Sequence, residues 1–139
     1  MSPLREFPPA SQLVVDSMVF LHFSFVQRLD DFFTWLPSHL SVTPLVVKEV
    51  LKVSRENPAF GRLNLQSYID KGLIHLEKMD SSEETLLFYG YYNQKFGRKK
   101  FGQGEASCLA VGLSKHYGII CDEREVLEEF KIGMKARKF

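Results

Sequence analysis

Five carboxylates in this sequence occupy positions where chemistry is expected. Each follows an apolar run or lies in the first turns of a predicted helix, and they are Asp16, Glu49, Glu105, Asp122 and Glu123. If parallel strands bring these acids to one edge of a sheet, their charges repel one another and favour a bound cation. Mg²⁺ and Mn²⁺ suit a site made of carboxylates and water. A pair of such ions can activate a water and stabilise the leaving oxygen in phosphodiester cleavage.

Each acid also has a purely structural explanation. Asp16 or the neighbouring Ser17 suits the N-cap of the helix that follows. Glu105 and Glu123 lie near helix N-termini, where the helix dipole favours acids, and Glu49 could be a solvated surface residue. Because the chain contains 17 acidic residues, their placement alone leaves both explanations open.

The elements that would position these acids alternate between strand and helix. Leu13-Val14-Val15 is a short apolar run without polar alternation, which is typical of a strand buried on both faces of a parallel sheet. Further strands are predicted at 40–43, 73–76 and 119–121, with a short fifth strand at 131–134. Helices predicted between them complete an α/β fold, in which a central parallel sheet lies between two helical layers in a three-layer α/β/α arrangement.

Local signals mark several helix ends. Thr43 is predicted to cap a helix that starts at Pro44, and Ser81 with Glu84 has the spacing of a capping box. We expect the final helix to cover residues 125–130. The predicted buried faces comprise Val46, Val47, Val50 and Leu51 in one helix and Ala106, Leu109, Ala110 and Leu113 in another. Gly72 and Gly118 are the predicted C-terminal stops.

Composition limits the other possibilities. The 139 residues suit one domain, predicted to span 12–139 after a loosely ordered Pro-rich leader at 1–11. The net charge of +1 gives no global sign of nucleic-acid or membrane binding.

The expected location is the cytoplasm. No apolar run has signal-peptide or membrane-spanning length, and Cys108 and Cys121 are expected to be packed thiols. A local basic loop, Arg98-Lys99-Lys100, could bind a phosphate backbone.

Four pieces of this sequence, taken together, resemble the PIN-domain family of nucleases, which includes VapC-like toxin ribonucleases. They occur in the family's order and cover most of the domain: residues 13–17, residues 42–51, Gly104-Glu105-Ala106 with Leu109-Ala110, and residues 118–123. The resemblance implies a parallel sheet of order 3-2-1-4-5 and metal-dependent cleavage of RNA. It also implies a homodimer and, for a toxin, a small antitoxin partner.

The resemblance assigns roles to individual residues. It implies that Asp16, Glu49 and Glu105 form the acidic core, that Ser17 assists at the Mg²⁺ or Mn²⁺ ion, and that a fourth acid follows the strand at 119–121. Family members often have Thr before the fourth acid, with the acid two residues later, and this chain has Cys121 at the Thr position. The fourth acid is therefore Asp122, Glu123 or both. The chain also stops soon after the predicted fifth strand, where relatives commonly continue.

Other functions suit the sequence less well. The main alternative is a catalytically inactive PIN-like domain that binds RNA or a protein. A phosphotransfer receiver needs an acidic pair at the end of the first strand, but Ser17 follows Asp16. A haloacid-dehalogenase-like hydrolase needs a second Asp two residues after the first, where this chain has Met18.

Overall fold

A four-stranded parallel sheet forms the centre of the protein. The computed structural model describes residues 12–36, 39–93 and 100–136. Within these residues the strands lie in the order β3-β2-β1-β4, and every neighbouring pair is parallel. The predicted order of the first four strands is confirmed. The strands are β1 (Gln12–Val15), β2 (His39–Val42), β3 (His75–Leu76) and β4 (Gly118–Ile120).

Helices flank this sheet and give the predicted three-layer α/β/α architecture. Two follow β1, two follow β2 with a 3₁₀ turn between them, two lie between β3 and β4, and one follows β4. They are α1 (Ser17–Phe25), α2 (Leu29–Trp35), α3 (Pro44–Glu56), α4 (Leu65–Asp70), α5 (Ser82–Tyr92), α6 (Gln103–Lys115) and α7 (Arg124–Ala136), with the 3₁₀ turn at Pro58–Phe60. None of the helices in the described part of the chain is long and apolar enough to cross a membrane.

Strand β1 occupies a central position because its side chains are apolar on both faces. Val14 and Val15 are wholly buried, as expected for a strand covered by helices on both sides. The ladder with β4 continues one residue beyond the strand, since Asp16 N–H donates to the Ile120 carbonyl at 3.0 Å. Asp16 therefore lies at the carboxyl edge of the sheet, beside the end of β4.

Helix α6 is the buried helix of the fold. The residues from 106 to 113 are all buried, so the predicted face is confirmed but is only part of the buried surface. Cys108 and Val111 pack in the larger core around the sheet, while Leu109 and Leu113 pack in a second core with α5 and α7. A helix that is apolar all round belongs in the interior, and here it joins the two cores.

The predicted caps of α3 and α5 are confirmed. Thr43 Oγ1 accepts the N–H of Val46 at 3.3 Å, and Ser81 Oγ accepts the N–H of Glu84 at 3.1 Å. In α3, Val46 and Val50 are wholly buried. Val47 and Leu51, predicted as part of the same buried face, are only partly buried.

The predicted fifth strand at residues 131–134 is wrong, because these residues continue α7. Phe130 is buried in the second core and Met134 packs against that core one helical turn later. Between them, Gly133 lies so close to Leu113 that a Cβ there would be 2.6 Å from Leu113 Cδ1. The apolar residues Val126, Phe130 and Met134 repeat at helical spacing, so one side of α7 faces the second core through its whole length.

The predicted stop of α6 at Gly118 is also wrong. His116 is the C-cap, with a left-handed backbone at φ 59°, and Gly118 already belongs to β4. Histidine is among the residues that tolerate this conformation. Gly72, at φ 76°, does follow α4 as predicted. The leader at 1–11 lies outside the described residues.

Candidate active site

Asp16 is a buried carboxylate at the carboxyl edge of the sheet. Only 2% of its surface is exposed. It is the N-cap of α1, since its Oδ1 accepts the N–H of Ser17 at 2.8 Å. The capping role and a role in a site are therefore compatible, because Oδ2 points away from that cap toward the end of β4, where it meets Cys121.

Ser17 links Asp16 to a carboxylate from a different element. Its hydroxyl donates a hydrogen bond to Glu49 Oε1 and lies 3.3 Å from Asp16 Oδ1. Glu49 projects from the second turn of α3 and is partly buried. The two carboxylates, predicted from distant parts of the sequence to share a site, thus contact the same side chain.

The first turn of α6 packs directly on this pair. A Cβ at Gly104 would lie 3.0 Å from Glu49 Oε2 and 3.3 Å from Ser17 Oγ, so a larger residue here would have to displace these side chains. Ser107 fixes the turn, since its hydroxyl donates to the Gly104 carbonyl at 2.7 Å and lies 2.6 Å from Thr43 Oγ1. The positive end of the α6 dipole consequently faces the two carboxylates and partly offsets their charge.

Glu105 lies in the first turn of α6, beside the crevice formed by Asp16, Ser17 and Glu49, and its side chain makes a hydrogen bond to the N-cap residue of its own helix. Its Oε1 accepts the N–H of Gly102 at 3.1 Å. Burial raises the pKa of Glu105, and the nearby charges of Asp16, Glu123 and Glu49 raise it further. The charges of three of the other predicted acids therefore act on Glu105.

Asp122 and Glu123, the two candidates for the fourth acid, have different surroundings. Asp122 Oδ2 lies 3.0 Å from His22 Nδ1 on α1, and both side chains are well exposed. Glu123 is the one whose charge contributes to the raised pKa of Glu105. Glu123 therefore interacts electrostatically with Glu105, whereas Asp122 pairs with a histidine.

Cys121 is a member of the crevice that the sequence did not predict. Its Sγ donates to Asp16 Oδ2 at 3.3 Å and accepts the N–H of Glu123 at the same distance. Burial raises the pKa of Cys121 to about 12, and the charge of Asp16 acts in the same direction, so the thiol keeps its proton at neutral pH. Both cysteines are free thiols and both are packed, Cys108 fully buried and Cys121 partly buried against the second core, but only Cys121 also contacts an acid of the site. Its position directly before the acidic pair was the available signal.

The electrostatics of Asp16 reflect a competition. Burial raises the pKa of its carboxyl group, and the charge of Glu49 adds to that effect. Hydrogen bonds from Ser17 and Cys121 favour the ionised form and therefore lower the pKa. The net effect is a raised pKa, which is what a buried acid beside a like charge is expected to show.

The chemistry of the donors suits a hard divalent ion, but the side chains are not gathered around one point. Carboxylate and hydroxyl oxygens from Asp16, Glu49 and Ser17 are the ligands that Mg²⁺ and Mn²⁺ prefer. Across the described ranges, no three Asp, Glu, His or Cys side chains form a group that could hold a metal ion. Ser17 stands between two of the acids, and Glu105 is turned toward Gly102.

The predicted phosphate-binding loop is only partly described. Lys100 is exposed, and its Nζ lies 5.6 Å from the centre of the Tyr92 ring. That cation–π contact leaves the ammonium group accessible to solvent. Arg98 and Lys99 lie outside the described residues.

Comparison with known proteins adds one finding. No protein-family model and no curated protein sequence matches this chain. Among solved structures, it is similar to VapC20 of Mycobacterium tuberculosis, a toxin that cleaves the sarcin-ricin loop, with a TM-score of 0.62 and 10% sequence identity. The match covers 84% of this chain and 94% of VapC20. VapC20 is a PIN-domain toxin, so this protein has a PIN-like fold.

Proposed function

We propose that this protein is a divalent-metal-dependent ribonuclease whose acidic site comprises Asp16, Glu49, Glu105 and Glu123. The observation that carries the proposal is the pair of carboxylates, Asp16 and Glu49, that contact the one hydroxyl of Ser17 at the carboxyl edge of a PIN-like sheet. Buried like charges destabilise a fold unless they are compensated. A cation at this edge would compensate them.

Each side chain has a part in the proposed reaction. Asp16 and Glu49 would hold Mg²⁺ or Mn²⁺, with Glu105 and Glu123 completing the oxygen ligands. A divalent ion supplies Lewis-acid chemistry, namely activation of water and stabilisation of the leaving oxygen. Ser17 orients Glu49 by its hydrogen bond. The basic loop of Arg98, Lys99 and Lys100 would bind the phosphate backbone of the substrate.

RNA is the proposed substrate because the PIN-like neighbour, VapC20, cleaves the sarcin-ricin loop. Its description as a toxin also supports a toxin role for this chain, which would require a small antitoxin partner. A homodimer and a cytoplasmic location belong to the same proposal.

The ribonuclease proposal is tested by cleavage of a labelled RNA by the purified full chain. We expect cleavage in Mg²⁺ or Mn²⁺, no cleavage in EDTA, and recovery when Mn²⁺ is added in excess, because the acids need the ion to form a working site. A matched double-stranded DNA of the same sequence serves as the specificity control. Cleavage that continues unchanged in EDTA would contradict metal dependence.

A second experiment separates the two candidates for the fourth acid. We expect Glu123→Gln to lower the cleavage rate about tenfold or more, whereas Asp122→Asn changes it by less than about threefold, since metal-associated carboxylates matter most where they face the other ligands. The two variants are a matched pair, because each removes one charge from adjacent exposed residues. A larger loss in Asp122→Asn would reverse the assignment.

A non-catalytic module is the second candidate function. The observation that favours it is the lack of a preformed three-ligand metal group among the residues that the structure describes. Such a protein would bind RNA or a protein through the same fold without cutting. Binding of RNA without cleavage at any Mn²⁺ concentration, in the assay above, would establish this alternative.

A further inference from the structure

Both oxygens of the Asp16 carboxylate are held, and by different elements. Oδ1 accepts the N–H of Ser17 at the start of α1, at 2.8 Å. Oδ2 accepts the thiol of Cys121, just beyond β4, at 3.3 Å. A carboxylate that is hydrogen-bonded at only one oxygen can still rotate about χ2, because the χ2 angle of Asp has a broad range of allowed values. The second donor, from across the sheet edge, restricts it.

Cys121 is itself fixed in the turn that leads from β4 to α7. The N–H of Glu123 donates to its sulfur at 3.3 Å, and the residue is only partly exposed. The same sulfur therefore contacts the acid at the end of β1 and the backbone of the acid that follows β4. Removal of this one atom would loosen both acids together.

We propose that Cys121 is a positioning residue of the acidic site, whose thiol orients the Asp16 carboxylate and shapes the turn that presents Glu123. This inference rests on the proposed function, since orientation matters only if Asp16 binds a metal ion. It does not make the sulfur a ligand or a nucleophile. Groups that hydrogen-bond to metal ligands commonly change metal affinity or activity 10- to 100-fold when removed.

The test compares Cys121→Ala with Cys121→Ser in the full chain. We expect Cys121→Ala to weaken Mn²⁺ binding, measured by titration calorimetry with Mn²⁺ alone, by about tenfold, and to lower kcat by a similar factor. The KM for RNA should be unchanged, because the contacts of the thiol are with Asp16 and the backbone of Glu123. Cys121→Ser should recover most of the Mn²⁺ affinity, since its hydroxyl can donate to the same oxygen.

Cys108→Ala is the matched control, because it removes the other thiol, which bonds to the Val15 carbonyl one residue before Asp16. We expect it to leave Mn²⁺ affinity within about twofold of the wild-type value. Its thermal midpoint, compared with those of the Cys121 variants, separates loss of packing from loss of orientation.

The outcomes distinguish this inference from the proposed function. Cys121→Ala with wild-type Mn²⁺ affinity overturns the positioning role, and so does Cys121→Ser that is as weak as Cys121→Ala. A wild-type chain that binds Mn²⁺, loses affinity in Cys121→Ala and cuts no RNA supports positioning while contradicting the ribonuclease. A wild-type chain that binds no Mn²⁺ overturns both.

Discussion

Asp16→Asn is expected to abolish RNA cleavage while the protein remains folded. The substitution removes the most buried charge of the site and keeps the size of the side chain. Loss of a metal-binding carboxylate removes several kcal/mol of transition-state stabilisation, so cleavage should fall by about a hundredfold or more. The measurement is the single-turnover rate at saturating Mn²⁺, with folding checked by circular dichroism.

The same variant has a predicted effect on stability, with a sign set by the raised pKa of Asp16. An acid whose pKa is higher in the folded state stabilises the fold fully below its unfolded pKa, and this contribution disappears as pH rises through the folded pKa. Asparagine stays neutral at every pH. In EDTA, Asp16→Asn should therefore gain stability relative to the wild type between acidic and neutral pH, as measured by urea unfolding.

Asp30→Asn is a suitable control, because Asp30 is an exposed acid in the first turn of α2. It should cleave RNA at nearly the wild-type rate. If Asp16→Asn retained a tenth or more of the activity, the assignment of Asp16 to the metal site would fail. Equal loss in both variants would also contradict a specific role for Asp16, because removal of a negative charge does not by itself weaken binding of polyanionic RNA.

Lys115→Met is expected to cause the largest loss of stability among the charge substitutions considered. Lys115 Nζ, at the C-terminal end of α6, donates to Glu77 Oε1 and lies 3.8 Å from Glu84 Oε1. Glu77 and Glu84 are only 7% and 2% exposed. Glu84 Oε2 has no hydrogen-bond partner among the described residues, so the ammonium group is an important compensation for its charge.

Removal of one partner from a buried ion pair leaves an uncompensated charge and typically costs about 3–5 kcal/mol. We expect a loss in this range for Lys115→Met by urea unfolding near pH 7. Burial alone would lower the pKa of Lys115, but the hydrogen bond and charge of Glu77 raise it overall. A base with a raised pKa stabilises the fold below its unfolded pKa and loses that effect only as pH rises through the folded value, so its contribution is complete at neutral pH.

The exposed Lys131 on α7 provides the matched control, and Lys131→Met should change the free energy of unfolding by less than about 1 kcal/mol. The double variant Lys115→Met with Glu77→Gln should be more stable than Lys115→Met alone, because it removes one of the two buried carboxylates that have lost the ammonium group. A loss below about 1 kcal/mol in Lys115→Met would show that Glu77 and Glu84 do not depend on this ammonium group.

Local sequence determined most of the elements that carry the site. The apolar run that ends at Asp16 predicted a buried central strand, and Thr43-Pro44 predicted the start of the helix that bears Glu49. These signals are short-range, because caps and hydrophobic periodicity depend on residues within a turn or two. The parallel sheet then requires such acids to meet at its carboxyl edge.

Tertiary contacts decided what local signals left open. Residues 131–134 extend the amphipathic helix α7, in which Gly133 packs against Leu113. Asp122 and Glu123 are adjacent acids, and they differ in the structure because His22 pairs with Asp122 while Glu123 acts on Glu105. The different surroundings of Asp122 and Glu123 depend on partners distant in sequence, which no local pattern encodes.

The composition of the crevice shows the same division. The sequence by itself predicted that Asp16 follows the first strand and that Glu49 and Glu105 lie in the first turns of helices. Only the tertiary structure showed the thiol of Cys121 on Asp16 and the backbone of Gly104 against Glu49. The reason is geometric, because a sequence pattern fixes where a Cα lies along its element, whereas contacts between side chains depend on how elements pack.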